Sequence, residues 1–138
     1  MWTTIRLMLI LDCLLDFKSK QADVNCAFLH AHLPEEEVVY VHMPQGFTQY
    51  DKRGKSKVLR LNCSLYGLKQ SPRAFWKFMV DKLEHCGMAQ SKLDPCLFIR
   101  DTVITVMYVN DILMWSTEDK NMTNLTNMLN VAGVDLEE

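Results

Sequence analysis

The sequence predicts an α+β fold, an antiparallel sheet with helices packed on one face, and three observations carry that expectation. Residues 103–115 (VITVMYVNDILMW) are apolar and rich in β-branched side chains on both sides of Asn110-Asp111. They read as a β-hairpin buried on both faces, with Asn-Asp supplying the positive φ of a tight turn. Residues 71–87 place Phe75, Met79, Leu83 and Cys86 at helical spacing. Ser71 suits the N-cap of that helix, Pro72 its first position and Gly87 the C′ position. Along the chain the order is helix, three strands, helix, strand pair, helix, which suits an α+β sheet.

The elements follow in turn. Arg6 and the apolar run LMLILDCLL imitate a signal peptide, but Asp12 interrupts the run and no small-residue cleavage site follows Leu15. The run is too short to span a bilayer, so no membrane partner is expected. It reads as a buried helix with Thr3 or Thr4 as N-cap. Residues 21–25 suit a short strand ending in polar residues. Residues 38–43 (VVYVHM) make the clearest strand of the first half, closed by Pro44-Gln45-Gly46. Residues 48–57 are polar, charged and contain Gly54, hence a loop, and residues 58–61 return to strand character. Residues 96–99 and 103–109 read as strands and residues 117–129 as a terminal helix. The final VAGVDLEE stops without a clear structural ending. No internal repeat, linker or low-complexity segment interrupts this order.

A chain of 138 residues, 49% hydrophobic and 23% charged, is one globular domain rather than a disordered segment. A formal net charge of −2 excludes a globally basic nucleic-acid binder. The charge is nonetheless uneven. Glu35, Glu36 and Glu37 form an acidic block, and Lys52, Arg53, Lys55, Lys57 and Arg60 a basic one, continued by Lys69, Arg73, Lys77 and Lys82. Solvated surface is the default reading of such a run and a phosphate-binding strip its rival. Five cysteines without a C-x-x-C pair argue for reduced thiols in a cytoplasmic or nuclear chain. The glycosylation sequons at Asn62, Asn121 and Asn124 carry no meaning there.

Asp23, at a strand end, and Asp111, at a hairpin tip, are the residues to which chemistry attaches first. Two carboxylates so placed could bring magnesium to a shared point, because it prefers a few hard oxygen ligands. By themselves they are weak evidence, and two unrelated surface carboxylates are the default reading. Cys26, His30 and His32, with His42 as a recruit, match no usual zinc spacing, and ordinary polar and packing roles account for them. A nucleophilic cysteine paired with a histidine has no local signature, and no phosphate-cradling glycine loop is present.

Read together, QADVNCAFLHAHLPEEEVVYVHMPQGF, LNCSLYGLKQSPRAFWKFM, SKLDPCLFIR and VMYVNDILM resemble the palm region of a copia-type LTR retrotransposon reverse transcriptase, in that family's order. The resemblance covers roughly residues 3–116. It implies a polymerase palm-like sheet within a single partial domain, 1–138, whose palm core runs from about 20 to 116. The fingers N-terminus, thumb and ribonuclease H of the family would then be missing. It implies RNA- or DNA-templated DNA synthesis, in which a primer 3′-hydroxyl attacks a deoxynucleotide between two magnesium ions. By resemblance Asp23 is the first metal-binding aspartate. Phe28 matches the aromatic that crowds the sugar 2′-carbon, its rival role being a core phenylalanine. Gly67, Leu68, Lys69 and Gln70, leading into Ser71-Pro72-Arg73, match the segment beneath the templating base and incoming nucleotide. Tyr108-Val109-Asn110-Asp111 matches the Y-x-D-D turn.

Here the chain departs from its family, for Asn110 stands where the turn has its first aspartate. An amide brings no charge and cannot bridge two cations, so little or no polymerase activity is expected. The implied partners are an RNA or DNA template-primer, a deoxynucleotide, and a partner chain supplying fingers and thumb. Two other readings stay open: a non-catalytic nucleic-acid-binding module holding a duplex backbone through Lys52–Arg60 and Lys69–Lys82, and an unselected element relic.

Overall fold

The structure, a computed structural model, describes residues 2–137. Its elements in chain order are α1 (Trp2–Leu15), β1 (Lys18–Val24), a 3-10 turn (Ala27–His30), β2 (Tyr40–His42), β3 (Val58–Arg60), α2 (Ser71–His85), β4 (Ala89–Gln90), β5 (Leu97–Arg100), β6 (Val103–Tyr108), β7 (Asp111–Ser116), α3 (Asp119–Val131) and β8 (Leu136–Glu137). Six strands form one antiparallel sheet in the order β4-β5-β6-β7-β1-β8, and β2 pairs with β3 in a separate two-stranded sheet. This is the α+β, palm-like antiparallel sheet the sequence predicts, with one correction: the helices do not all pack on one face, since α2 and α3 cover one side and α1 the other.

Strand alternation sorts the sheet's side chains into two layers. Ala22, Val24, Phe98, Met107, Ile112 and Met114 face one side, where Phe75, Met79 and Leu83 of α2 and Met122, Leu125 and Leu129 of α3 close over them. Val106 and Trp115 face the other side beneath Met8 of α1, with Ile104, Leu113, Ile5 and Leu11 around them. The β6–β7 hairpin is therefore buried on both faces, as its unbroken apolar sequence requires.

Helix α1 departs from expectation. Of its residues only Met8 is buried, and Leu7, Ile10 and Leu14 look outward. It is apolar nearly all round, so its sequence shows no preferred face, and packing against Val106, Trp115 and their neighbours decides which side is covered. Nor does either threonine cap it: the helix already includes Thr3 and Thr4, and the Thr4 hydroxyl donates to Asp94. At α2 the N-cap is Gln70, and Ser71 sits inside the first turn with Pro72. The Ser71 hydroxyl instead donates to the Leu65 carbonyl (2.6 Å) and accepts from the Leu65 amide (3.2 Å), tying the preceding loop to the helix. Gly87 takes its predicted place, with φ +79°. Its amide bonds to Glu84 O and that of Met88 to Leu83 O (2.8 and 2.9 Å), the two bonds of a Schellman ending.

The hairpin turn corrects a further expectation. Tyr108 pairs with Asp111, so Val109 and Asn110 are the two turn residues and Asp111 belongs to β7. The positive φ falls on Val109 (+56°) and not on Asn110, as in turns of type II′. A β-branched residue there is strained. Within VAGVDLEE, whose last residue lies outside the described residues, there is a structural ending after all: β8 pairs with β1 at Asp23↔Glu137 and Val24↔Leu136.

The two faces of α1 and the main core make opposite predictions. Met79→Ala should cost about 2–5 kcal/mol, the usual range for emptying a packed core position. Leu14→Glu, on the outward face of α1, should change stability by less than about 0.5 kcal/mol. Urea unfolding of both variants checks this, and a large loss from Leu14→Glu would mean that α1 is buried after all.

Candidate active site

The site is built on the seam between β1 and β7. Lys18–Asp23 pair with Ser116–Asp111 in continuous antiparallel register, which sets Asp23 directly opposite Asp111. The Val24 amide donates to the Asn110 carbonyl (3.1 Å), just outside that pair. Asp23 and Asp111 are thus a non-hydrogen-bonded pair, the kind whose Cα atoms approach to about 4.5 Å and whose side chains lie closest. Both are half-buried. Two like charges directly opposite would repel, and each carboxylate is met by an amide donor. Asn110 Nδ2 donates to Asp23 Oδ1, and Gln21 Nε2 to Asp111 Oδ1 at 3.2 Å. Gln21 was not singled out from the sequence. Its position two residues before Asp23, on the same face of a strand, is the signal that could have found it.

Phe28 lies just beyond β1 in the 3-10 turn, which begins after Cys26 at φ +50°. Its ring meets Tyr66 at 4.7 Å between centroids and Phe75 edge-on at 5.9 Å. The Ser64 hydroxyl donates to the Phe28 carbonyl and fixes the turn. Phe28 is half-buried and packs against the main core, so it has a packing role whatever else it does. Tyr66 and Ser64 both belong to the SLYGLKQ stretch, whose loop is held to α2 by Ser71.

The other sequence-selected residues distribute around α2. Gly67 sits in the loop at φ +92°, and Lys69 is exposed beside it. Gln70 and Arg73 line a groove of about 310 Å³ with His32, Lys77, Phe78 and Asp81. Tyr108 and Val109 line a different, apolar cavity of about 190 Å³ with Pro72, Phe75, Trp76 and Cys96. Burial, then the charge of Asp94, pushes the Cys96 thiol up from its ordinary value, so it stays protonated at neutral pH and is a poor nucleophile. Neither Lys69 nor Arg73 is joined to Asp23 or Asp111 among the described residues.

The zinc candidates separate. His30 Nε2 lies 2.8 Å from the Asn25 carbonyl, His32 Nδ1 faces Cys63 Sγ at 3.6 Å, and Cys26 is exposed. Among the described residues no three His, Cys, Asp or Glu side chains gather into a metal-binding set. The corner does present two hard carboxylates side by side. Magnesium is commonly held by one or two carboxylates together with substrate phosphates, and this donor set suits one such ion.

Comparison with known proteins agrees with the class that this sheet and corner define. Residues 1–136 match the family described as reverse transcriptase (RNA-dependent DNA polymerase). The chain is 37% identical over 117 residues, 81% of its length, to the retrovirus-related Pol polyprotein from transposon TNT 1-94 of Nicotiana tabacum. It is 37% identical over 116 residues to that from transposon RE2 of Arabidopsis thaliana, again 81% of the chain. To the truncated transposon Ty1-A Gag-Pol polyprotein of Saccharomyces cerevisiae it is 31% identical over 99 residues, 71% of the chain. The chain belongs to the reverse transcriptase family of retrotransposon Pol polyproteins. It spans about 8% of the length of each of these three relatives. Among the described residues no helix is long and apolar enough to cross a membrane.

The amide of Asn110 should be measurable as a structural group. Asn110→Ala leaves Asp23 facing Asp111 without its donor and is expected to cost about 1–2 kcal/mol. Urea unfolding in the absence of divalent ions checks this, and an unchanged midpoint would show that the amide does not support the pair.

Proposed function

We propose that this chain is the carboxylate-bearing palm portion of a retrotransposon reverse transcriptase, and that as written it has little or no polymerase activity. The observation that supports this reading is the corner itself, where Asp23 and Asp111 pair across the sheet and Asn110 turns its amide into Asp23. Asp23 and Asp111 would hold magnesium. When bound, the ion supplies positive charge against the triphosphate and the primer hydroxyl.

Asn110 weakens that arrangement in two ways. It contributes no negative charge where dications and a triphosphate would meet. Its N–H also donates to Asp23 Oδ1, so a cation taking that oxygen competes with the amide. Phe28, braced by Tyr66 and Phe75, is positioned by a fixed turn, which suits an aromatic that limits the space beside a sugar. Gly67, Lys69, Gln70, Arg73 and Tyr108 are assigned to template and nucleotide contact on the family pattern. The template-primer and deoxynucleotide are likewise proposed from the family, as is completion of the enzyme by fingers and thumb from another segment or chain.

The test is primer extension on an RNA template with magnesium, comparing the chain with Asn110→Asp. The variant is expected to extend where the parent does not. Adding Asp23→Asn to the variant should remove extension by at least about a hundredfold, a loss of about 2.7 kcal/mol of transition-state stabilisation. Extension by the unaltered chain would overturn the proposed inactivity. If neither chain extends, Asn110 is not the sole lesion.

A further inference from the structure

Away from the carboxylate corner, His32 and Cys63 are set face to face by the backbone although 31 positions separate them. Leu33 N bonds to Asn62 O at 3.0 Å and Ser64 N to Ala31 O at 2.8 Å, and between these bonds His32 bridges to Cys63 in antiparallel register. A pair bracketed in this way is the non-hydrogen-bonded kind, whose side chains approach most closely. Cys63 Sγ accordingly lies 3.6 Å from His32 Nδ1. With the ring proton on Nε2, Nδ1 is an acceptor and the thiol donates to it. Packing does not explain the pairing. Neither residue joins a core, His32 is exposed and Cys63 is half-buried.

The other thiols lack this arrangement. Burial pushes Cys86 and Cys96 up from the ordinary thiol value, so both stay protonated at neutral pH. Cys13 and Cys26 are exposed, but among the described residues neither sulfur has a hydrogen-bond partner. The thiolate is the nucleophile, so a reactive cysteine needs both access and a group to take its proton. Among the described residues only Cys63 has the two together. His32 also lines the groove of about 310 Å³ beside α2, whose charged walls are Arg73, Lys77, Glu37 and Asp81. Two cations and two acids complement a zwitterion, with its carboxylates at one pair and its ammonium at the other.

We propose that Cys63 is a site of mixed-disulfide formation with a small zwitterionic peptide disulfide, His32 taking the thiol proton and the groove seating the peptide. The Cys63 proton passes to His32 Nδ1, and the thiolate attacks one sulfur of the reagent. A new S–S bond forms as the old one breaks, and the departing thiolate takes the proton back from the imidazolium. Cys63 is oxidised and the departing half is reduced, with no other reactant. The adduct stands next to Ser64, whose hydroxyl holds the Phe28 carbonyl, so the modification bears on the turn that carries Phe28. The inference goes beyond the proposed polymerase reading and does not require the carboxylate corner to be active.

The experiment incubates the full, reduced chain with oxidised glutathione at neutral pH and follows each cysteine by peptide mass spectrometry. Cys63 is expected to react about tenfold faster than Cys13 or Cys26, since a paired base raises the thiolate fraction. His32→Ala and His32→Gln should both slow Cys63 about tenfold and leave Cys13 unchanged, the glutamine keeping an acceptor but no base. Continued protection of Cys86 shows that these variants are folded. Lys77→Ala should slow glutathione at Cys63 about two- to fivefold, the usual worth of an exposed charge pair. It should leave bis(2-hydroxyethyl) disulfide, which carries no charge, unaffected. Equal rates at Cys63, Cys13 and Cys26, an unchanged rate in the folded His32 variants, or a Lys77→Ala effect that is absent or the same for both reagents would each overturn the proposal. Primer extension by Asn110→Asp reads none of these rates, so thiol and corner can fail separately.

Discussion

The register of β1 against β7 is the constraint on which the molecule depends. Ala22 stands opposite Ile112, both fully buried, and Val24 continues the same face into the main core. Because side chains alternate along a strand, slipping this pair by one residue would send Ala22 and Val24 to the opposite face and turn Asp23 inward beneath α2 and α3. Apolar burial thus fixes where the charges go. Two groups that repel are held together because their neighbours in sequence are held in the core. The adjoining β6–β7 hairpin repeats the arrangement, with Met107 opposite Ile112 just below the turn that carries Asn110.

Much of this could be read from sequence, where a periodic signal ran long enough. The β6–β7 hairpin and α2 were legible from apolar runs bounded by turn and cap residues, and the family resemblance agreed with them. The elements that escaped are those whose cause lies elsewhere in the chain. β4 and β8 are two residues each, too short for alternation to register, and they exist because β5 and β1 offer them an edge. The outward face of α1 has no marker because its residues are apolar on every side. The left-handed backbone at Val109 runs against residue preference, which favours Asn at such a turn. There the pairing of Tyr108 with Asp111 dictates the turn, and the local sequence yields to it. At the site, Asp23, Asn110 and Asp111 could be brought together from sequence only through the resemblance, since nearly ninety residues separate the two aspartates. Gln21 lay within the predicted strand 21–25, but its partner Asp111 becomes visible only once β1 is paired with β7.

Substituting one atom group at residue 110 changes what the corner needs from its surroundings. Three carboxylates converging at the end of this strand pair would repel one another, and any cation they bound would stabilise the folded state to an extent set by its concentration. With an amide in that place, donors from Asn110 and Gln21 satisfy the two remaining acids from within the chain. The corner becomes self-sufficient, a gain in stability set against a loss of ligand charge.

The sheet of β2 and β3 has a thermodynamic consequence of its own. The β6–β7 hairpin lies between two cores, so its amides can meet solvent only when the whole sheet comes apart. Residues 38–61 are held by a backbone ladder and a few turn bonds, with no share in either core. With no side chain in either core, this segment is expected to open at a lower free energy than the six-stranded sheet. One short chain therefore holds two tiers of order: a sheet fixed between two cores and an appendage held by its own backbone ladder.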